Sequence, residues 1–349
     1  MRNPQIEHAA RLRRTRLGPV LPVIALIVLA CNLTPAPVAT PAPAASATST
    51  SVPTVLAPGS KLGTSKNPLI LALPPTTQTS TEVLNAGQSL VGLLEKATNY
   101  TIVSVVPPTE TDLVRGFGAG NAHIGVLSPF AYLLASGEGT AEAAFARQHG
   151  KDIFYGAQFI ARSDAGFTDY FDPLKGANTA DSPIALGQFQ HKKPCWTDEL
   201  SASGYVVPLG LLNSAHVETN TPAFLAGHVA VVRAIAAAGI CDFGATYIDA
   251  RTYPGLEDQY PDLLKNVHVI WRIAPIIPYE TLVFVHGMDE DMRRNLTRAF
   301  VDIESTPDGK SAMQILYGFD AMQVVQDSDY DAFRKAVKAS GLDLTTLIK

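Results

Sequence analysis

From Leu69 onward, short apolar runs alternate with stretches of helical period, and this rhythm restricts the chain more than any other feature of its sequence. Leu69-Ile70-Leu71-Ala72-Leu73 reads as a buried strand ended by Pro74-Pro75. Residues 82–98 follow as a helix, with Val83, Leu84, Gly87, Leu90, Val91 and Leu94 on one face and Ser80 or Thr81 available as N-cap. Residues 101–106 read as the next strand, 109–118 as a helix opened by Thr109, Glu110 and Asp112, and 122–127 as a third strand. Ser128-Pro129 then starts a helix through Ala135, with serine as cap and proline at the first helical position. A rhythm of this kind implies a mostly parallel sheet covered by helices on both faces.

At 349 residues the chain is too long for one ordinary core, so two lobes are expected. The alternation restarts with strands over 183–187, 243–249 and 267–273 and helices over 201–213 and 227–238. Helices over 289–304, 311–318 and 329–340 follow. Residues 154–162 and 279–286 have the composition of strands that cross between lobes. The second lobe, 163–276, is thus read as inserted between two parts of the first, 67–162 and 277–349, with two crossings. Two facing α/β lobes leave a cleft where strand carboxyl ends and helix N-termini converge, which suits a small anion.

Upstream of this body the chain changes character. Residues 17–29 form an apolar run that is short for a membrane span, contains Pro19 and Pro22, and is preceded by Arg2, Arg11, Arg13, Arg14 and Arg16. Residues 1–30 read as a secretory signal. Val28-Leu29-Ala30-Cys31 resembles a bacterial lipobox, in which the cysteine is acylated and becomes the first residue; a plain secreted protein cleaved nearby is the alternative. Residues 31–66 read as the lipidated Cys31 and a linker, because Pro, Ala, Ser and Thr with almost no charge cannot bury enough surface to fold. The full chain carries 27 Lys and Arg against 32 Asp and Glu, a net −5; loss of five arginines and Glu7 with the signal removes a net +4 and leaves −9. This acidic balance, with no block of like charge beyond the N-terminus, argues against nucleic acid as a partner.

Lipid on Cys31 leaves Cys195 and Cys241 as a pair in an oxidising compartment, which reads as a disulfide. Zinc is the alternative, but two distant cysteines without a CxxC or HxxxH companion supply too few ligands. No metal and no cofactor are expected. Enzyme motifs are likewise lacking: there is no GxSxG elbow, HExxH or P-loop, and Gly116-Phe117-Gly118-Ala119-Gly120 lies at a helix end, outside the strand-to-helix context of a dinucleotide site.

An ordered series of segments carries a family resemblance. It comprises the helix end and turn at 90–99, the stretches 112–126, 128–132 and 155–167, and the turn Pro173-Leu174-Lys175-Gly176. It continues through Ser201-Ala202-Ser203-Gly204-Tyr205-Val206-Val207-Pro208, residues 227–234, and Ile277-Pro278-Tyr279-Glu280. Over about residues 67–340 the chain resembles the substrate-binding proteins of phosphate, phosphite and phosphonate ABC importers, a branch of the type II periplasmic binding proteins. The resemblance implies an α/β, two-lobed type II periplasmic-binding-protein fold, each lobe a mostly parallel sheet flanked by helices, with the ligand in the cleft between lobes. It also implies a monomer, lipid-anchored outside the cytoplasm through acylated Cys31, that hands a small phosphorus oxyanion to a membrane-embedded ABC permease and is not an enzyme. Departures from the family pattern are Asn99 for a usual glycine, Ala202 for threonine, Val229 for aspartate, and the elaboration 191–199.

Ser201, Ser203, Gly204 and Tyr205 have the composition of an anion-binding helix start, where free N–H groups and the dipole favour a tetrahedral oxyanion; ordinary capping by serine is the alternative. Ser128 is the matching start in the first lobe, with Tyr132 one turn on. Thr77, Gln78 and Thr79, flanked by Thr76 and Ser80, form a hydroxyl-rich loop at the sheet edge that either lines the cleft or is a polar turn. The resemblance makes His228 a contact for a phosphoryl oxygen, against a surface or capping role. Asp249 and Glu280 are candidate acceptors for a protonated oxygen or an amine, or else members of salt bridges. Ser203 near His228 could imitate a nucleophile and base, although helix-start serines that bind anions need no activation. Alternatives in function are a binding protein for a sulfonate or another small organic ligand such as a thiamine precursor, for which Trp196, Tyr205 and Phe130 offer aromatic walls, and a ligand-binding sensor module.

Overall fold

The computed structural model describes residues 61–348. The expected signal, Cys31 and most of the linker lie outside the described residues.

In the first part of the chain the local signals act as the sequence implies. β1 (Leu69–Ala72) is buried throughout, and α1 (Thr81–Thr98) is capped by Ser80, whose Oγ accepts the Val83 N–H at 3.2 Å. The helix ends on Asn99 at φ 61°, a left-handed conformation that asparagine tolerates. Next come β2 (Ile102–Val105), α2 (Glu110–Ala119) with Thr109 as cap, β3 (Ile124–Leu127), and α3 (Pro129–Gly137) capped by Ser128. β4 (Ala141–Gln148) and β5 (Phe154–Arg162) follow, then a small hairpin of β6 (Phe171–Asp172) and β7 (Ala177–Asn178). At 183–187, where a strand was expected, the chain forms the helix α4 (Ser182–Gly187). The reason is Pro183, which favours a helix's first turn and lacks the N–H a central strand needs.

β8 (Pro194–Trp196) leads into a π-helical turn (Ala202–Val206) continuous with α5 (Val207–Ser214). β9 (Ala223–Phe224), α6 (His228–Ala237), β10 (Phe243–Tyr247) and two single-turn helices, α7 (Leu256–Gln259) and α8 (Leu263–Asn266), come next. The chain then runs through β11 (Val267–Pro278), β12 (Thr281–Val285), α9 (Glu290–Glu304), α10 (Pro307–Tyr317), β13 (Ala321–Val324) and α11 (Asp331–Ser340).

The strands form two main sheets, in the orders β13-β4-β12-β3-β1-β2 and β11-β5-β10-β8-β9. Both are mixed, which corrects the expectation of mostly parallel sheets. Parallel pairing is confined to β2-β1-β3 in the first and β10-β8-β9 in the second; β12, β4 and β13, like β5 and β11, pair antiparallel. The antiparallel strands β4, β5, β11, β12 and β13 are those that carry the chain into and out of each lobe.

The lobe boundaries also differ from the expected ones. β5 lies wholly in the second sheet, between β10 and β11, so the first crossing is at 149–153 and not along 154–162. The return crossing is at Tyr279 and Glu280, between β11 and β12. A third crossing follows β13, because α11 packs on α5 of the second lobe. Asn213 Nδ2 donates to the carbonyls of Ala339 and Ser340 at 3.0 and 3.1 Å, and Gly210 approaches so closely that an added Cβ would lie 2.0 Å from the Ala336 oxygen. Residues 277–349 therefore do not all belong to the first lobe.

One hydrophobic core lies between the first sheet and α1, α9 and α10, and another between the second sheet and α6. The largest runs from α2 and α3 through α11 to α5 and spans both lobes. Phe130 stacks on Phe333 at 5.7 Å within it.

Candidate functional site

One wall of the interlobe cleft is built at the carboxyl ends of β8 and β10. Ser201 caps the π-helical turn, its Oγ accepting the Gly204 N–H at 3.0 Å. The first turn of a helix has no internal acceptors for its N–H groups; with that of Gly204 engaged, those of Ala202 and Ser203 are the ones an incoming acceptor can use. Glycine is required at 204 because a Cβ there would lie 2.1 Å from Thr197 Oγ1. That oxygen is buried and has no hydrogen-bond partner among the described residues. Ser203, also buried, hydrogen-bonds the Tyr155 hydroxyl, which burial pushes up to about 12, so Tyr155 keeps its proton at neutral pH. The Tyr205 ring packs 6.0 Å from Trp196 and 5.0 Å from Phe224.

His228 opens α6 on the same wall. Its Nδ1 accepts the Tyr247 N–H at 3.3 Å, which puts the hydrogen of the neutral ring on Nε2. Burial lowers its pKa, against an opposing pull from Asp198. At neutral pH the ring is therefore an uncharged N–H donor. Asp198 also anchors the serine turn, its carbonyl accepting the Ser201 N–H at 3.1 Å. The structure thus brings Ser201, Ser203, Gly204, Tyr205 and His228 to one edge of the second sheet.

The facing wall belongs to the first lobe and differs in chemistry. Ser128, at the end of β3, donates its N–H to Glu110 Oε1 at 2.7 Å and its hydroxyl to Glu110 Oε2 at 2.9 Å. A carboxylate already occupies this helix start. Burial raises the Glu110 pKa, the two bonds from Ser128 pull it down, and the charge of Glu280 adds to the rise. Glu280 pairs with Arg147 at 3.0 Å, and beside it the Tyr279 ring lies 5.1 Å from Tyr155 and 5.7 Å from His149. Thr77, Gln78 and Thr79 sit in the loop after β1 at the same edge, where Thr76 Oγ1 accepts the Gln78 N–H at 3.1 Å and closes a polar turn.

Two expected contacts are corrected. Tyr132 is fully buried, donates its hydroxyl to Asp327 at 2.6 Å and packs 4.5 Å from Tyr330, because this face of α3 meets the segment leading to α11 and not the cleft. Asp249 is gripped by Arg251 Nε and Nη2 at 3.0 and 2.6 Å and by Gln158 at 2.6 Å. Burial tends to raise its pKa, but the hydrogen bonds and charge of Arg251 prevail and hold the carboxyl low. Asp249 is thus a salt-bridge residue, with its oxygens already engaged. Glu110, Tyr155, Thr197 and Tyr279 were not singled out from sequence. Tyr155 and Tyr279 stood inside segments that carried the resemblance, whereas Glu110 showed only as a helix-opening acid 18 positions from its partner.

Cys195 and Cys241 are bonded, with S–S 2.01 Å and Cα atoms 5.6 Å apart, tying β8 to the segment between α6 and β10. Among the described residues no group of His, Cys, Asp or Glu is arranged to hold a metal ion, and no helix is long and apolar enough to cross a membrane.

Two α/β lobes joined by crossing segments form the architecture of the type II periplasmic-binding-protein fold. The family of periplasmic substrate-binding proteins of phosphonate ABC transporters matches residues 73–330, and the chain belongs to it. The phosphate-import protein PhnD of Mycolicibacterium smegmatis is 28% identical over 214 residues, an alignment covering 57% of this chain and 61% of that protein, so under two thirds of the relative's length is spanned. Among solved structures, XAC2383 from Xanthomonas citri bound to ATP aligns with TM-score 0.54 at 15% identity, over 80% of this chain and 97% of that one. Transferrin 1 from Manduca sexta aligns with TM-score 0.51 at 10% identity, over 78% of this chain and 47% of its own. These two likenesses are of fold alone.

Proposed function

We propose that this chain is the substrate-binding protein of an ABC importer, taking a small phosphorus oxyanion, whether phosphonate, phosphite or phosphate, in the interlobe cleft and delivering it to a membrane-embedded permease. The observation that carries the reading is the start at Ser201–Tyr205, where the Ala202 and Ser203 N–H groups and neutral His228 lie on one wall as donors without a full positive charge. Such a site suits an oxyanion held by hydrogen bonds in a cleft that closes and excludes water. The lipobox-like Cys31 and the linker support a lipid-anchored, extracytoplasmic monomer beside its permease.

Trp196 and Phe130 are buried in the core and do not wall the cleft, which weakens the grounds for a sulfonate or larger organic ligand. The rings of Tyr155 and Tyr279, 5.1 Å apart, are the aromatic groups beside the serine turn instead. A thermal-shift panel of phosphate, phosphite, methylphosphonate, 2-aminoethylphosphonate, sulfate and sulfonates tests the reading. A ligand at a hundred times its Kd should add about 2.7 kcal/mol of stability. A shift with a sulfonate and none with any phosphorus oxyanion would overturn it.

A further inference from the structure

Building on that reading, we propose that Glu110 sets which form of the ligand the cleft accepts: the end that faces the first lobe must carry a hydrogen of its own, on a P–OH or an ammonium group. Both donors at the Ser128 helix start are directed at Glu110, at 2.7 and 2.9 Å, and are lost to any ligand. An ionised carboxylate has about four lone-pair sites and no donor, so with two in use Glu110 presents acceptors only. The opposite wall presents the reverse, with N–H groups at Ala202 and Ser203 and the Nε2–H of His228.

A fully ionised oxyanion has acceptors alone. It satisfies the second lobe and meets the first with lone pair against lone pair and charge against like charge. An anion that keeps a P–OH, or bears an ammonium group, satisfies both. The charged groups around Glu110 reinforce the selection. Glu280 adds negative charge and is itself paired with Arg147, while Asp112 on the same helix is bonded by Thr109 and lies 3.9 Å from Arg115. No cation lies within ion-pair distance of Glu110 among the described residues. A protonated Glu110 could in principle donate to a dianion, but Ser128 aims a donor at each of its two oxygens, a pairing that fits the carboxylate.

The test is titration calorimetry of the intact protein and Glu110→Gln with methylphosphonate and 2-aminoethylphosphonate, at pH values spanning each ligand's second phosphonate ionisation. For methylphosphonate and the unaltered protein, affinity should fall about tenfold per pH unit above that ionisation. In E110Q the profile should flatten to within a few-fold, because one acceptor becomes a donor. 2-Aminoethylphosphonate binding that stays tight across the range would assign the hydrogen to the ammonium group; the methylphosphonate profile assigns it to P–OH. Since E110Q also alters the Ser128 bonds and could fold poorly, phosphorus NMR on the unaltered protein gives a second readout: bound methylphosphonate should keep the monoanion shift where the free ligand is a dianion. A bound dianion, or the same pH profile in both proteins, overturns the role of Glu110 and leaves the oxyanion reading standing. Failure of both proteins to bind any phosphorus oxyanion overturns that reading and this one with it.

Discussion

The helix starts at Ser201 and Ser128 share a residue type, a position at the carboxyl end of a parallel strand and a place on the cleft, yet only the first is open. At Ser201 the hydroxyl caps Gly204, and the N–H groups of Ala202 and Ser203 have no acceptor among the described residues, with neutral His228 alongside. At Ser128 the N–H and the hydroxyl both go to Glu110. A serine at a helix N-terminus therefore does not by itself make an anion site. What decides is whether a carboxylate from elsewhere in the chain has arrived first.

Removing serines on each side should break the symmetry most strongly. Replacing Ser201 and Ser203 together with Ala removes two bonds to a charged ligand worth about 1.5 to 3 kcal/mol each, so affinity for the oxyanion should fall at least about a hundredfold. Ser128→Ala should cost about 1 kcal/mol of stability, as loss of a cap does, and change affinity little. Calorimetry and thermal unfolding on the same proteins separate the two outcomes. Normal binding by the double variant would take these serines out of the site.

The open start is also the one braced by a disulfide, since Cys195 lies on β8 just before the serine turn. Replacing both cysteines with Ser should lower stability by about 3 to 4 kcal/mol in the chain-entropy model. Denaturant unfolding would read the loss, and a loss below about 1 kcal/mol would mean that the brace is not needed to hold the second lobe.

Acid should act on the first lobe. His123, buried at the amino end of β3, accepts the Ile70 N–H on Nδ1 at 2.9 Å, and burial lowers its pKa to about 4. Because the folded state binds that proton less readily than the unfolded chain, the stability from neutral His123 is fully present above about pH 6.5 and is lost as pH falls toward 4; the loss should reach about 3 kcal/mol. Melting temperature against pH should show the drop in the intact protein and flatten in His123→Gln. An unchanged slope in that variant would place the acid sensitivity elsewhere.

How far the sequence could be read depended on how local each signal was. The caps at Ser80, Thr109 and Ser128, the left-handed Asn99 and the buried run of β1 each act within a few residues, and all form as read. β4, with its Ala-rich and charged mixture 141–148, and the short β8 and β13 have no comparable local signature; they become strands because neighbours pair with them. The site divides in the same way. The Ser201–Tyr205 turn was visible as a motif, while Asp249 looked available until Arg251 and Gln158 were seen to hold it, and Glu110 gave no local sign that it would reach Ser128.

The third crossing has a consequence for the order in which the molecule can be completed. The surface of α5 around Gly210 and Asn213 is covered by α11, more than a hundred residues later in the sequence. During synthesis the second lobe can form its sheet earlier, but the face of α5 around Gly210 stays uncovered until α11 has been made, so the docking of that helix is a late, long-range step of folding.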